Sequence, residues 1–113
     1  MSKRAELIEK YKKEMTKLGI NNVNNDLFEK VVIGCGPSIY NADSSTVSGS
    51  DAKELATVKN NFLIKKLGLK DGPTLDSAIE DVITEMGKSN KNKYRAIFYY
   101  LLVEKFNKAE VYK

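Results

Sequence analysis

Apolar residues recur at helical spacing through most of the chain, and the period-two alternation typical of half-buried strands is nowhere sustained. Four such positions predict a first helix: Leu7, Tyr11, Met15 and Leu18. Ser2 is placed to cap its start. Gly19 followed by Ile20 predicts a Schellman ending, because glycine readily adopts the left-handed conformation and the next apolar residue can pack back on the last turn.

Two further helices are predicted in the middle of the chain. One follows Asn25 and ends at Gly34, and its inward positions are Leu27, Phe28, Val31 and Val32. The next opens at Ser50, with a stripe formed by Leu55, Val58, Phe62 and either Leu63 or the stem of Lys66. Gly68-Leu69 predicts the same ending as Gly19-Ile20, with Ile64 as the packing partner.

The C-terminal half predicts two more helices. The fourth is capped by Thr74 or Asp71 and ends at Gly87, and its inward positions are Leu75, Ala78, Ile79, Val82 and Met86. The fifth begins near Asn90 or Asn92, and its stretch YRAIFYYLLVEKF is apolar on nearly every side, which is typical of a helix surrounded by others. The pattern therefore predicts an all-α fold, a compact bundle of five principal helices forming a single domain over residues 1–113.

The connection between the second and third helices, residues 34–50, is long. Connections beyond about 12–15 residues are uncommon and are often functional or mobile. Pro37 can begin a short extra helix carrying Ile39 and Tyr40, and Asp43 or Ser44 can cap another turn before Val47. Three interpretations stay open: an excursion packed on the core through Ile39, Tyr40 and Val47, a loop that faces a ligand, and disorder.

The length, composition and net charge of the chain limit the class of protein. A chain of 113 residues, of which 42% are hydrophobic, can build one core. A net charge of +4 predicts only weak attraction to polyanions. The N-terminus has no apolar signal-peptide region, no apolar run is long enough to span a bilayer, and the single Cys35 rules out an intramolecular disulfide. We therefore expect a cytoplasmic protein without a membrane partner.

Charge is distributed unevenly along the chain. The first 20 residues carry six basic and three acidic side chains, residues 71–85 carry five acidic and no basic ones, and residues 88–113 carry seven basic and two acidic ones. The simplest interpretation is that the acidic fourth helix lies beside the basic ends and pairs with them. Such exposed pairs contribute little stability each, but they can bias which helices become neighbours.

The triplet Gly87-Lys88-Ser89 invites comparison with a phosphate-binding P-loop. That motif needs another glycine five positions earlier, with a strand before the loop. Val82 stands at that position, inside a periodic helix. Gly87 is better interpreted as a helix ending, with Lys88 near the negative end of the helix dipole.

Four cations surround the predicted start of the fifth helix: Lys88, Lys91, Lys93 and Arg95. Free backbone amides at a helix N-terminus favour anions, and Tyr94 adds a surface on which a base could stack. The alternative is a solvated turn whose serine and asparagines cap the helix. These four residues, joined by Ser38 and Tyr40 from the long connection, form the candidate ligand-binding site.

Candidate catalytic chemistry is scarce. Cys35 lies between two glycines, but the chain has no histidine to act as its base, so a structural thiol is the simpler interpretation. One cysteine and no histidine also exclude most zinc and iron sites. Asp76, Glu80 and Asp81 could form a carboxylate site, but they are more simply the exposed face of a helix. We expect no catalytic residues, no metal and no cofactor.

Three stretches carry a family resemblance: GPSIYNAD (36–43), VKNNFLIKKLGL (58–69) and KSNKNKYRAIFYYLLVEKF (88–106). They resemble a family of short, mainly bacterial proteins classified as a domain of unknown function, and the similarity runs over almost the whole chain. The resemblance implies a compact all-helical domain. It implies no activity and assigns no residue a role.

These observations together predict a small helical protein that works as a binding or interaction module rather than as an enzyme. The alternative is binding of nucleic acid or a phosphate ligand through the basic start of the last helix, extended for nucleic acid by Lys10, Lys12, Lys13 and Lys17. Action on a phosphorylated small molecule is a third hypothesis, but the chain offers no evident general base near neutral pH. The chain could also form a homodimer, because small helical proteins often bury a spare apolar face against a copy of themselves.

Overall fold

In a computed structural model, the chain folds into five α-helices with no strand among the residues that it describes, which are 3–20, 23–40, 45–49, 51–90 and 93–112. The helices are α1 (Lys3–Lys17), α2 (Asn25–Gly34), α3 (Ala52–Thr57), α4 (Pro73–Met86) and α5 (Arg95–Lys105). A π-helix, Val58–Lys66, continues α3, and short 3-10 helices cover Gly36–Tyr40 and Ala109–Tyr112. The predicted all-α fold is confirmed.

α5 is the central helix of this fold, as its all-round apolar sequence predicts. It contacts α1, α2 and α4, and seven of its eleven residues are buried: Ala96, Ile97, Phe98, Tyr100, Leu101, Leu102 and Val103. The predicted start near Asn90 or Asn92 is wrong, because α5 begins at Arg95 and Tyr94 occupies its N-cap position. The residues just before it pair with the long connection instead of continuing the helix.

The first helical ending has the geometry that its sequence predicts. Gly19 has a φ of 82°, and its amide donates to the carbonyl of Thr16 at 3.0 Å. The amide of Ile20 donates to the carbonyl of Met15 at 2.9 Å. These two bonds define a Schellman motif. α2 is also confirmed, although it begins at Asn25 rather than after it. Asn24 is its cap, and the side-chain oxygen accepts from the amide of Leu27 at 3.2 Å.

The helix ending at Gly68-Leu69 differs from its prediction because the preceding helix is wound more widely. The amide of Gly68 donates to the carbonyl of Ile64 at 3.1 Å, and that of Leu69 to the carbonyl of Leu63 at 3.1 Å. Each acceptor lies one residue earlier than in a Schellman motif. A π-helix joins residues i and i+5 and so completes a turn every four to five residues. This winding suits the spacing of the buried side chains Val58, Phe62, Leu63 and Leu67.

The starts of α3 and α4 also differ from prediction. Asp51, not Ser50, caps α3, because its carboxylate accepts from the amide of Lys53 at 2.9 Å. Neither Thr74 nor Asp71 caps α4: Gly72 takes the N-cap position and Pro73 is the first helical residue, where a missing amide costs nothing. The predicted inward face of α4 is confirmed and also includes Ile83, and Gly87 ends the helix with a φ of 94°.

The long connection packs on the core at two of its three predicted positions. Its first part forms the predicted short helix, in the 3-10 geometry, from Gly36 to Tyr40. Ile39 and Val47 are buried, but Tyr40 is 44% exposed and does not anchor the segment. Residues 41–44, which include the predicted caps Asp43 and Ser44, lie outside the described ranges. Within these ranges, no helix has the length and apolar character needed to cross a bilayer.

Candidate functional site

The end of the long connection lies against the start of α5. Thr46 and Tyr94 form an isolated antiparallel bridge. The amide of Val47 donates to the carbonyl of Lys93 at 2.7 Å, and the amide of Arg95 donates to the carbonyl of Ser45 at 2.8 Å. We call residues 45–49 the bridge segment. The first amide of α5 is therefore already bonded within the protein and is not available to an anion.

A cleft of about 610 Å³ opens between the bridge segment, the start of α3, α4 and the turn at residues 88–90. We call it the bridge cleft. Its walls carry hydroxyls and an amide from Thr46, Ser48, Ser89 and Asn90. They also carry three acidic side chains, Asp51, Glu54 and Glu80, and two basic ones, Lys88 and Lys93. The cleft is therefore polar and of mixed charge rather than uniformly basic.

Lys93 is the buried cation of this cleft, with only 4% of its surface exposed. Its ammonium donates to the backbone carbonyl of Asn90 at 2.6 Å and to that of Lys88 at 3.1 Å. Gly49 leaves room for its stem, since a Cβ at that position would lie 3.2 Å from the Lys93 Cε. Lys93 thus holds the turn after α4 against the bridge segment.

Arg95 is also engaged inside the protein. Its Nη2 forms an ion pair with Glu54 Oε1, and its Nη1 donates to the Tyr99 hydroxyl at 2.8 Å. Only 12% of the Arg95 side chain is exposed. Tyr99 in turn stacks on Phe62, with ring centroids 3.9 Å apart and planes 11° from parallel. Arg95 therefore links α3, α5 and the π-helix.

The structure brings together some of the predicted site residues and not others. Lys88 is exposed at the rim of the bridge cleft, and Lys93 lies within it. Tyr40 is not among the lining residues, and the Lys3 ammonium lies 5.7 Å from the centre of its ring. Lys91 and the side chain of Ser38 lie outside what the structure describes. The cleft thus joins the two segments of the predicted site, but through residues 46–49 and not through Tyr40.

Sequence reasoning missed the acidic walls of the cleft. Asp51 and Glu54 stand three residues apart at the start of α3, the spacing typical of a helix cap, and this signal could have placed both. Nothing in the sequence distinguishes Glu80 from the other exposed acids of α4. Its position is set by the packing of α4 beside α3 and the π-helix.

Ion pairs on α4 and just before it account for other acids near this site. Lys59 contacts Asp71 at 2.9 Å and Asp76 at 3.2 Å. Hydrogen bonding between Lys59 and Asp71 raises the pKa of the lysine and lowers that of the aspartate. Asp81 pairs with Lys105 of α5 at 3.4 Å, as expected if α4 lies beside a basic end of the chain.

Cys35 lies in surroundings that disfavour its reactive form. Burial raises the pKa of its thiol to about 11, although the nearby Arg95 acts in the opposite direction. The thiolate, not the thiol, is the nucleophile. Near neutral pH the side chain is therefore protonated. In the described part of the chain, no group of three or more acidic or cysteine side chains is placed to hold a metal ion.

Comparison with known proteins places the chain in a family but assigns it no activity. Residues 10–110 match the family described as "Protein of unknown function (DUF2853)", and the chain belongs to this family. This confirms the resemblance seen in the sequence to a domain of unknown function. A search of curated proteins finds no match.

Proposed function

We propose that this member of the family is a non-catalytic binding module of the cytoplasm, and that its ligand lies in the bridge cleft. The observation that carries this proposal is the convergence of two distant segments around one buried cation. The bridge segment is fixed to Lys93 and Arg95 by backbone hydrogen bonds, and Lys93 lines the cleft that results. A volume of about 610 Å³ lies within the range of about 300–1,000 Å³ that is common for ligand sites.

The walls of the cleft favour a polar ligand that carries both donors and acceptors. An ammonium group has three donors, and the described acceptors of Lys93 are two carbonyls. A third donor therefore remains on a residue that lines the cleft. Lys88 adds a second positive charge at the rim, whereas Asp51 and Glu80 provide acceptors. A short peptide, with amide, carboxylate and amine groups, matches this combination.

Phosphate or nucleic acid is the second candidate, and it has less support. Arg95 is paired with Glu54 and does not line the cleft. Among the described cations of the predicted site, only Lys88 is exposed. Asp51 and Glu80 would repel a phosphate placed beside it. Uniformly charged polyanions therefore fit these walls less well than a ligand of mixed charge.

Chemical-shift mapping of the ¹⁵N-labelled protein tests the proposal with three probes: a pool of short peptides, inorganic phosphate and a single-stranded oligonucleotide. We expect the peptides to shift the amides of residues 46–49 and 88–90. The variant Ser48→Trp should remove these shifts, because it fills the cleft from an exposed position. Ser77→Trp is the matched control, since Ser77 is exposed on α4 and does not line the cleft.

The same experiment separates the two candidates. Shifts produced only by phosphate or the oligonucleotide, and lost at moderate salt, would favour binding of phosphate or nucleic acid, because contacts with phosphates weaken steeply with salt. Peptide shifts that persist in Ser48→Trp would place the ligand elsewhere and contradict the proposal. The absence of a response to every probe would also count against it.

A further inference from the structure

A second cleft, of about 350 Å³, lies between α4 and the helix formed by α3 and the start of the π-helix. We call it the helical groove. Leu55, Ala56 and Ile79 supply its apolar surface. Lys59, Asp76 and Glu80 supply charged groups along its walls. The groove therefore differs from the bridge cleft, whose walls are mainly polar.

The two clefts adjoin along the same pair of helices. Glu80 lines both of them. On the opposite wall, Asp51 lines the bridge cleft and the next residue, Ala52, lines the helical groove. The surface thus continues from a polar end beside the bridge segment to an apolar end beside Leu55 and Ile79.

The charges along this surface are not equally available. Lys59 is paired with Asp71 and Asp76, and Glu54 is paired with Arg95. Glu80 is exposed at the junction of the two clefts, and no ion pair joins it to another described residue. The group most accessible to a ligand at the junction is therefore an acidic one.

We propose that one extended polypeptide segment occupies both clefts. This inference rests on the proposed function for the bridge cleft and adds the helical groove to it. An apolar side chain packs on Leu55, Ala56 and Ile79, and a Lys or Arg side chain pairs with Glu80. The backbone of the segment continues into the bridge cleft, where hydroxyls and Lys93 meet its polar groups.

The dimensions suit a short segment of this kind. From Asp76 to Ile83, the α4 residues along this surface span about 10 Å at about 1.5 Å per residue. An extended chain advances about 3.3 Å per residue, so three or four residues cover that length. A nucleic acid would instead place its phosphates against Glu80, which opposes binding. A second copy of the chain is the remaining occupant, and the test distinguishes it.

Fluorescence anisotropy with labelled tetrapeptides tests the inference on the full chain. In the first peptide, Leu and Lys stand two residues apart, because alternate side chains of an extended chain face the same side. The second peptide replaces Lys with Glu, and the third replaces Leu with Gly. We expect the first to bind most tightly. Glu80→Gln should weaken it by about 1.5-fold to fivefold, the range for an exposed ion pair. Glu80→Lys should reverse the preference between the first two peptides.

Two further variants control for position and fold. Ala56→Trp fills the groove from an exposed position, and we expect it to weaken binding of the first peptide by at least tenfold. Glu85→Gln removes an exposed acid of α4 that lines neither cleft, and it should change nothing. Unchanged circular dichroism and thermal midpoints would show that each variant is folded.

The outcomes separate this inference from the proposed function. Peptide binding that is lost in Ser48→Trp but unaffected by Glu80→Gln and Ala56→Trp would overturn the inference and leave the bridge cleft as a site. Binding that is unaffected by Ser48→Trp, Glu80→Gln and Ala56→Trp would overturn both this inference and the proposed function. A dimer by light scattering that Ala56→Trp dissociates would mean that a second copy occupies the groove, and the inference would then be wrong.

Discussion

Deleting Asn61 should leave the protein folded, because the deletion would let the π-helix become an α-helix without moving its buried side chains off one face. In the native chain, Phe62, Leu63 and Leu67 follow Val58 by four, five and nine residues. An α-helix turns by about 100° per residue, so this spacing would place Leu67 opposite Val58. The i to i+5 bonding of the π-helix keeps all four side chains together instead.

The expected magnitude follows from these positions. After the deletion, the three side chains follow Val58 by three, four and eight residues, which at about 100° per residue spans an arc of about 140°. All four can stay buried, and a core that conserves its volume usually changes by less than about 1.5 kcal/mol. Asn61 itself is exposed, so its loss removes no core contact.

Deletion of Ser77 is the matched control, because Ser77 is also exposed but lies in a regular α-helix. Its loss rotates Ile79, Val82, Ile83 and Met86 by about 100° relative to the first turn of α4. Truncating one such core residue costs about 2–5 kcal/mol. Displacing four would cost about 8–20 kcal/mol, which is as large as the total stability of about 5–15 kcal/mol that is usual for a domain.

Urea unfolding followed by circular dichroism measures both deletions. We expect a cooperative transition for the Asn61 deletion, with an unfolding free energy close to that of the native chain, and no folded state for the Ser77 deletion. If the two deletions unfold the protein equally, π winding is not what brings the four side chains together. The reasoning from spacing would then be refuted.

Two other predictions concern the buried polar groups. Lys93→Met should lower the unfolding free energy by about 2–4 kcal/mol, because two carbonyls lose their charged donor. Lys88→Met, at an exposed position, should change the unfolding free energy by less than about 0.5 kcal/mol in the same urea titration. Equal effects of the two substitutions would contradict the internal role of Lys93. Burial raises the pKa of Cys35 from 9.0 to about 11, so its contribution to stability is complete below pH 9 and is lost as the pH rises towards 11. Urea midpoints across this pH range should fall less steeply for Cys35→Ala, and parallel curves would exclude the effect.

The parts of the fold that the sequence predicts depend on local patterns. The inward faces of α1, α2, α4 and α5 follow from apolar spacing, and the ending at Gly19 follows from a glycine and the residue after it. The helix after Asp51 was predicted with the spacing of an α-helix, and its π winding was missed. Apolar residues spaced for an α-helix, at three and four residues, and those spaced for a π-helix, at four and five, look alike over a single turn. The two patterns can be told apart here only when Leu67 is included.

The site could be predicted only in part, because its geometry depends on pairing between distant residues. Counting cations locates Lys88, Lys93 and Arg95 near one another, but the count says nothing about what each one contacts. The contact between Thr46 and Tyr94 joins segments almost fifty residues apart. It delays the start of α5 and determines which side chains face the cleft.

Lys93 and Arg95 contact groups within the protein, and this changes which ligands the cleft can bind. A basic segment attracts polyanions only through charges that remain accessible. Here the buried ammonium group of Lys93 is bonded to the turn after α4, and the guanidinium group of Arg95 is paired with Glu54 of α3. The exposed acid Glu80 then has more influence on an incoming ligand than the net charge of the last 26 residues suggests. A protein with excess positive charge can in this way present an acidic site. That reversal is why we propose a peptide with a basic side chain, rather than a nucleic acid, as the ligand of this surface.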